Sequence, residues 1–351
     1  MPLEIDFREE GHLGIVTLQR TGALNALTLP MIQALQHKLH AWQEDNHVHA
    51  VVIRSALDKA FCAGGDVRWL YDTGVSDHHE QMQFFWHEYR LNHFIHHFSK
   101  PYIALMDGVT MGGGVGISLH GSHPVATEHF MFAMPETAIG FFPDIGASYL
   151  LSRCPGALGV YLGLTGHRFN ADEARVAGLV KYCISSDKLQ LVLEQLIAAD
   201  LSKEPHERVD TCLSAFASPV TKHSLLELQT KVDGSFNETE VESICANLAE
   251  VGDEWHSTNL NNLEKKSPTS LKVTLAQLQK AKTMSMAACV KMDYCLVGHF
   301  MREPDFYEGV RALLIDKDKK PHWQPNILAN VTSMKLADYF ECGQPELPLG
   351  L

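Results

Sequence analysis

Residues 100–121, KPYIALMDGVTMGGGVGISLHG, contain the pattern that decides the fold. The apolar run over residues 100–106 predicts a β-strand, and the glycines at 112–114 predict a tight turn. The apolar residues that follow, VGISLHG, predict a short helix. A strand, a glycine-rich turn and a helix in this order indicate a layered α/β structure.

The same order recurs upstream of this stretch. Residues 4–20 predict a β-hairpin, and Thr28 is a suitable N-cap for a helix with apolar residues at helical spacing. A β-branched strand at 50–54 precedes a second glycine turn, AFCAGGD, at 60–66. A long helical pattern follows over residues 80–98. We therefore expect strands, turns and helices to alternate through this half of the chain.

Strand signals fade after about residue 187, and helical patterns continue to the end of the chain. A polar, asparagine-rich stretch at 257–266 interrupts them and predicts a loop between helices. We therefore expect two parts, an α/β core over residues 1–190 and a helical region over 191–351.

Composition excludes several classes of protein. The 351 residues carry a formal net charge of −13, whereas nucleic-acid binders usually show a basic surface. An anionic small ligand is still compatible with a local basic pocket. The chain has no stretch of about 20 apolar residues, so we expect no membrane span.

Two further features favour a reducing, aqueous compartment. The sequence contains 8 cysteines, none of them in a CxxC pair, which predicts reduced thiols rather than a disulfide framework. The first residues, MPLEIDFREEGH, are acidic and lack an apolar run, which predicts neither a signal peptide nor a transit peptide. From these features we predict a cytoplasmic protein.

Two glycine clusters, Ala63–Asp66 and Gly112–Gly114, each follow a predicted strand. Glycine allows a backbone N–H to approach a ligand closely, so two such groups near helix N-termini suit a developing oxyanion. Two tight turns without a ligand fit the same residues. A dinucleotide fingerprint fits poorly, because the second cluster does not contain GxGxxG.

Three acidic residues stand in apolar surroundings. Glu88 shares a predicted helix face with apolar residues, so its carboxylate either reaches water at a rim or lies beside a cavity. Glu136 and Asp144 each follow a proline in the stretch MPETAIGFFPDIG. Asp144 fits a helix N-cap and Glu136 an exposed loop, or both face a reacting centre.

Three histidines, at positions 93, 96 and 97, have the spacing of one helix face. No cysteine or carboxylate completes a recognisable ligand set, and the chain contains 20 histidines in total. We therefore predict no metal site.

Three segments together resemble one enzyme superfamily. AFCAGGDV (60–67), MDGVTMGGGVGISLHG (106–121) and FAMPETAIGFFPDIGASYLLSR (132–153) resemble the crotonase, or enoyl-CoA hydratase/isomerase, superfamily. Within it they are most similar to the 3-hydroxyisobutyryl-CoA hydrolase branch. The segments HEYRLN, SPTSLKVTLAQLQ and DFYEGVRALLIDKDKKPHW extend the resemblance over nearly the whole chain.

The resemblance implies a spiral of ββα units with a helical C-terminal region that closes over the site. It implies an acyl-CoA thioester as substrate. The backbone N–H groups of Gly65 and Gly113 match the oxyanion hole of the superfamily. The acidic site residues match Glu136 and Asp144 as catalytic groups and Glu88 as a substrate-binding group.

The resemblance also bears on partners and cofactors. This chemistry needs no metal or redox cofactor, because CoA arrives as part of the substrate. Basic residues should bind the CoA phosphates, and Arg20, Lys59 and Arg68 flank suitable segments. Many relatives form trimers or pairs of trimers, so we expect a possible homo-oligomer.

One departure from the hydratase pattern favours hydrolysis. Hydratases of the superfamily use two glutamates, of which one matches Glu136 and the other falls at Gly116. Asp144, in turn, stands where hydratases carry glycine. The sequence therefore predicts hydrolysis of 3-hydroxyisobutyryl-CoA, as in valine breakdown. The alternatives are an enoyl-CoA hydratase or isomerase of the same superfamily and a non-catalytic acyl-CoA-binding protein.

Overall fold

The computed structural model describes residues 4–219, 223–343 and 345–350. Its first part contains two sheets, as the alternating pattern predicted. Their strands are β1 Ile5–Glu10, β2 Leu13–Leu18, β3 Ala50–Ser55, β4 Ala60–Cys62, β5 Tyr102–Met106, β6 Val109–Met111, β7 His123–Ala126, β8 Met131–Ala133 and β9 Tyr182–Cys183.

Within the described ranges, the larger sheet has the order β1-β2-β3-β5-β7-β9, and the smaller sheet has the order β4-β6-β8. The predicted hairpin is confirmed, because β1 pairs with β2 in antiparallel fashion. The remaining pairs are parallel in both sheets. Parallel strands need crossover connections, and helices supply most of them.

Helices follow the strands and then dominate the second part of the chain. They are α1 Leu29–Glu44, α2 Val67–Ser76, α3 His78–His96, α4 Gly113–Gly116, α5 Ala147–Leu151, α6 Leu158–Thr165, α7 Ala171–Val176, α8 Leu189–Ala198, α9 Pro205–Ser214, α10 His223–Phe236, α11 Val241–Val251, α12 Glu254–Leu263, α13 Pro268–Ala281, α14 Met286–Phe300, α15 Pro304–Val310 and α16 Ser333–Asp338. A short 3-10 helix spans Glu136–Ile139, and a π-helical turn spans Arg311–Ile315.

The chain order shows the predicted spiral of ββα units. A strand of the larger sheet, β3, precedes a strand of the smaller sheet, β4, and the helices α2 and α3 follow. The sequence β5, β6, α4 repeats this order, and β7, β8 and the 3-10 helix repeat it again. Each turn therefore adds one strand to each sheet.

The larger sheet is buried on both faces, which explains its continuous apolar strands. In β3, Val51 and Ile53 face the main core, whereas Ala50 and Val52 face a second apolar cluster. That second cluster also contains apolar residues of α8 and α9. The period of two residues along the strand separates the two sets.

The helical region packs against the helices of the spiral. α14 packs on α3, and α15 packs on α2 and on the 3-10 helix. α13 contacts α5 and α6 as well as this 3-10 helix. The boundary at residue 190 stays a prediction. Among the described helices, none has both the length and the apolarity needed to cross a membrane.

The loop predicted at residues 257–266 is wrong, because most of it belongs to α12. Asp253 caps this helix by accepting a hydrogen bond from the His256 N–H. The asparagine side chains bind backbone carbonyls instead of ending the helix: Asn259 donates to Trp255, and Asn262 donates to Thr165 of α6. Tertiary contacts have overridden a composition typical of turns.

The prediction that all cysteines are reduced thiols is wrong for two of them. Cys295 of α14 and Cys342 form a disulfide, with 4.8 Å between their Cα atoms. They are separated by 47 residues, so no local spacing in the sequence indicates the pair. Cys62, Cys154, Cys183, Cys212, Cys245 and Cys289 are free thiols.

Candidate active site

Three short parallel strands end at the same edge of the smaller sheet and place the predicted site residues there. The glycine cluster with Gly65 follows β4, the cluster with Gly113 follows β6, and Glu136 comes shortly after β8. Parallel strands present their carboxyl ends on one side of a sheet, which is where functional loops of open α/β sheets lie. The regular spiral therefore brings together residues that are far apart in the sequence.

The two glycine turns approach each other closely. Gly64 has φ +115° and Gly112 has φ +47°, values that favour glycine. A β-carbon at Gly113 would lie 3.3 Å from the Gly65 nitrogen. Within the described residues, neither the Gly65 N–H nor the Gly113 N–H has a hydrogen-bond acceptor. Two neighbouring donors are thus available to a bound oxygen atom.

A cavity of about 130 Å³ lies against these donors. All five predicted site residues line it, namely Gly65, Gly113, Glu88, Glu136 and Asp144. The rest of its wall is mostly apolar and includes Val67, Leu70, Phe84, Phe85, Ile139, Phe141, Phe306 and Leu313. The cavity therefore combines a few polar groups with an apolar lining, as small-molecule sites usually do.

Glu88 lies on the buried face of α3, so its interpretation as a rim residue is wrong. Its exposed fraction is 2%, and its Oε1 atom has no hydrogen-bond partner among the described residues. A β-carbon on Gly113 would lie 2.5 Å from this oxygen. Burial raises the pKa of Glu88 well above its usual range, and the charges of Asp144 and Glu136 raise it further. Both effects favour the neutral form of Glu88 over its carboxylate.

Glu136 begins the 3-10 helix, and the interpretation as an exposed loop acid is wrong for it. Its exposed fraction is 6%, and its Oε2 atom has no partner in the described structure. Burial raises its pKa well above the usual range, the charge of Asp144 adds to this rise, and the Lys266 ammonium opposes it. This carboxylate is available for chemistry because no hydrogen bond occupies that oxygen.

Asp144 is not the N-cap of α5, since that helix is preceded by Gly146. Instead its Oδ2 atom accepts a hydrogen bond of 2.7 Å from the Tyr89 hydroxyl. Burial raises the pKa of Asp144 to about 7, and the Tyr89 hydrogen bond opposes this rise. The three acids influence one another and should titrate as a group.

Gly116 is the residue that the resemblance matches to the second hydratase glutamate, and an added side chain there would meet neighbouring atoms. A β-carbon at Gly116 would lie 2.6 Å from the Asn92 amide nitrogen and 3.2 Å from the Ile145 β-carbon. Asn92 is itself fully buried on α3. The second acid of a hydratase is therefore missing, and its space is filled.

A larger cavity of about 800 Å³ adjoins the first, and Leu313 lines both. Its lining includes the ammonium groups of Lys265, Lys266 and Lys319 and the imidazole of His322. Lys266 has an exposed fraction of only 9%. Burial lowers the pKa of its ammonium group to about 8, and the charge of Glu136 opposes this decrease. Lys266 therefore links the basic cavity electrostatically to the acids.

The basic residues suggested by the sequence lie elsewhere. Arg20 pairs with Asp66 at 2.7 Å and with Glu4 at 2.9 Å, and neither Lys59 nor Arg68 is among the residues that line the larger cavity. Lys265 and Lys266 are the last two residues of the stretch predicted as a loop, so nothing local set them apart. Tyr89 was also missed, although it follows Glu88 directly, because its hydroxyl meets Asp144 only in the folded chain.

The three spaced histidines lie at the end of α3 and contact other rings. The His96 ring lies 4.8 Å from that of His97, 6.1 Å from that of His120 and 5.0 Å from that of Tyr149. Burial lowers the pKa of both His93 and His96 to about 4. Among the described residues there is no group of three or more side chains suited to hold a metal ion.

Comparisons with known proteins agree with this geometry. The sequence model of a family described as Enoyl-CoA hydratase/isomerase matches residues 13–340. The chain is 41% identical over 349 residues to a protein of Xenopus tropicalis named 3-hydroxyisobutyryl-CoA hydrolase, mitochondrial, covering 97% of this chain and 89% of that protein. The human protein of the same name is 40% identical, covering 96% and 88%.

A solved structure has nearly the same fold over its full length. It is the crystal structure of a carnitinyl-CoA dehydratase from Mycobacterium thermoresistibile, with a TM-score of 0.92 and 34% sequence identity. The similarity covers 99% of each chain. Named relatives thus include both a hydrolase and a dehydratase, and the residues of the site have to distinguish between these reactions.

The predicted cytoplasmic location is wrong by the same comparison. The vertebrate relatives of this chain carry mitochondrial in their names. Net charge and the absence of CxxC pairs are compatible with any reducing aqueous compartment, so these features cannot distinguish one such compartment from another.

Proposed function

This chain belongs to the enoyl-CoA hydratase/isomerase family, and we propose that it hydrolyses the thioester of 3-hydroxyisobutyryl-CoA to 3-hydroxyisobutyrate and CoA. The observation that carries the proposal is the exchange of acids in the cavity. Asp144 lines the cavity, whereas the space of the second hydratase acid at Gly116 is filled by Asn92. This exchange supports hydrolysis at the carbonyl over addition of water to a double bond.

The thioester carbonyl would accept hydrogen bonds from the N–H groups of Gly65 and Gly113. Attack on the carbonyl carbon moves negative charge onto this oxygen, so the two donors stabilise the transition state more than the ground state. Loss of one such donor typically costs about 10²–10³ in rate. Both donors lie at turns that need no rearrangement, which keeps them oriented for the reaction.

Glu136 would deliver the nucleophile by one of two routes. As a general base it takes a proton from a water molecule that attacks the carbonyl carbon, and the C–S bond then breaks to release CoA thiolate. As a nucleophile it attacks the carbonyl carbon, the C–S bond breaks to release CoA thiolate, and water hydrolyses the resulting mixed anhydride in a second step. In ¹⁸O-labelled water, attack on the Glu136 carbonyl carbon of the anhydride leaves solvent oxygen in that carboxylate, which the general-base route never does.

Asp144 would accept a hydrogen bond from the 3-hydroxyl of the substrate or from the attacking water. Glu88, whose neutral form is favoured by its burial, would donate a hydrogen bond within the same cavity. The Tyr89 hydroxyl donates a hydrogen bond to Asp144, which suits Asp144 as an acceptor. The Oε1 atom of Glu88 has no partner among the described residues, so it is available to the substrate. A polar group in this apolar cavity recognises a hydroxylated acyl chain better than a hydrocarbon chain.

The larger cavity would bind the phosphates of the CoA moiety. It adjoins the acid cavity at Leu313, and Lys265, Lys266 and Lys319 line it. Phosphate groups form strong charge-assisted hydrogen bonds with ammonium groups. The acidic net charge of the protein is thus compatible with an anionic substrate, because three lysines line this cavity.

A non-catalytic acyl-CoA-binding protein would not need the acids. Burial of three carboxyl groups around one cavity costs free energy, and contacts with an uncharged acyl chain do not offset it. The arrangement of Glu88, Glu136 and Asp144 therefore favours an enzyme. An enoyl-CoA hydratase is the second candidate, and the name of the dehydratase relative supports it.

The test is release of free CoA from 3-hydroxyisobutyryl-CoA, followed by chromatography because free thiols of the chain, such as Cys212 and Cys245, would react with thiol dyes. Wild-type protein should release CoA, whereas Glu136→Gln and Asp144→Asn should not, with unchanged circular dichroism spectra. Crotonyl-CoA serves as the control substrate. Hydration of crotonyl-CoA without CoA release would overturn the proposal in favour of a hydratase.

A further inference from the structure

The loop that carries Asp144 has an unusual backbone. Ile145 has φ 57° and Gly146 has φ 71°, so two consecutive residues adopt the left-handed region. Glycine adopts this region readily, but a β-branched isoleucine does so rarely because its side chain crowds the backbone. The loop over residues 143–146, called the Asp144 loop here, therefore needs support from its surroundings.

Three buried polar side chains bind the backbone of the Asp144 loop, and we call them the loop clamp. They are His120, Gln277 of α13 and Asp293 of α14, with exposed fractions of 4%, 0% and 0%. The His120 Nε2–H donates to the Ile145 carbonyl at 2.8 Å, the Gln277 amide donates to the Pro143 carbonyl at 3.0 Å, and Asp293 accepts from the Gly146 N–H at 2.7 Å.

The clamp residues also support one another. The Gln277 amide donates to the second oxygen of Asp293 at 2.8 Å, so α13 and α14 act on the loop as a connected pair. Buried carboxylates and amides are rarely placed in a core unless they are hydrogen-bonded. Three of these four hydrogen bonds go to two peptide units of the Asp144 loop, those that join residues 143–144 and 145–146.

We infer that His120, Gln277 and Asp293 are positioning residues that fix the direction of the Asp144 carboxylate in the cavity. None of the three is among the residues that line that cavity, so each would act through the loop backbone. The only side chain that binds the Asp144 carboxylate in the described structure is Tyr89. The direction of this carboxylate thus depends on the backbone that the clamp holds. This inference rests on the proposed role of Asp144.

Removal of one clamp bond allows the loop to leave its left-handed conformation and moves the carboxylate. A displacement of about 1 Å at a reacting group typically costs about 10² in rate. The residues that would bind CoA lie in another cavity, so binding of the substrate should change little. We expect a loss of kcat with nearly constant KM. Because kcat is calculated per titrated active site, a general loss of folded protein would not lower it.

The experiment compares Asp293→Asn and Gln277→Leu with a matched control, Asp233→Asn. Asn at 293 offers one acceptor oxygen for two donors, and Leu at 277 removes both donations. Asp233 of α10 accepts a hydrogen bond from the Ala157 N–H at 2.7 Å, the same length as the bond between Asp293 and the Gly146 N–H. Neither Asp233 nor Ala157 lines one of the two cavities described above. Both clamp variants should lose about 10² in kcat, and the control should keep it.

Hydrogen exchange provides a readout that does not depend on activity. The peptide that contains residues 141–149 should exchange faster in both clamp variants, whereas peptides of β3 and β5 should exchange as in wild type. Faster exchange with unchanged kcat would overturn the inference, and so would an equal loss of kcat in Asp233→Asn. If wild-type protein released no CoA, the proposed hydrolysis would fail, and the exchange of this peptide would still decide whether the clamp holds the loop.

Discussion

Substitution of Tyr89 by phenylalanine tests the electrostatic account of the acids most directly. The Tyr89 hydroxyl donates a 2.7 Å hydrogen bond to Asp144, and both side chains are buried. Burial raises the pKa of Asp144 to about 7, and this hydrogen bond opposes the rise. Tyr89→Phe removes the bond without adding a group, so the pKa of Asp144 should increase further.

The expected magnitude follows from the strength of the lost bond. A hydrogen bond to a charged group contributes about 1.5–3 kcal/mol, which corresponds to about one to two powers of ten in a proton equilibrium. If ionised Asp144 is required, activity at pH 7 should fall by about 5- to 50-fold. The loss should disappear as the pH rises by about one to two units, because Asp144 then ionises in the variant as well.

The assay is kcat/KM for CoA release between pH 5.5 and pH 9.5, by chromatography. Tyr102→Phe is a matched control, since Tyr102 is also fully buried and its hydroxyl donates to the Ile117 carbonyl at 2.9 Å. The control should keep the wild-type pH profile. A Tyr89→Phe profile that superimposes on that of wild type, or moves to lower pH, would refute the reasoning.

Three further outcomes are expected. Gly116→Glu should not create hydratase activity on crotonyl-CoA, because Asn92 fills the space that the new side chain would need. The same crowding should lower the free energy of unfolding by about 1–3 kcal/mol. Hydration of crotonyl-CoA by this variant would contradict the prediction. The pKa of Glu88 is raised in the folded state, so its stabilising contribution is complete below its ordinary value of 4.5 and is lost as the pH rises. In urea unfolding above that pH, the free energy of unfolding of Glu88→Gln should therefore increase relative to that of wild type by about 1.4 kcal/mol per pH unit. A difference in this free energy that does not change with pH would argue against a raised pKa of Glu88. Lys266→Met should raise KM for acyl-CoA about 10-fold or more, whereas Lys59→Met should not, and equal effects would exclude a special role for the basic cavity.

Much of the fold could be predicted because its signals are local. Strands with apolar runs, glycine turns and helices with regular spacing each lie within a few residues of one another, as in residues 100–121. The glycines and acids of the cavity could be named for the same reason, since the glycines follow strands, Glu88 lies on a helix face, and Glu136 and Asp144 each follow a proline. The resemblance of their segments to a known superfamily then gave these residues their roles.

The remaining features depend on contacts between distant segments. Asn262 binds the end of α6, so a polar stretch that resembles a loop forms a helix. Gln277 and Asp293 bind a loop that precedes them by more than a hundred positions in the sequence. Lys266 lines the basic cavity only because α13 begins beside the 3-10 helix. Neither composition nor periodicity records such contacts.

The order of synthesis determines when the loop clamp can form in a newly made chain. Ribosomes make the chain from the N-terminus, so the glycine turns and all three acids emerge long before Gln277 and Asp293. A nascent chain can therefore build its sheets while the Asp144 loop still lacks its support from α13 and α14. Catalytic competence should appear in one step, when the last helices dock, and a chain released early would carry the reactive groups without being able to use them.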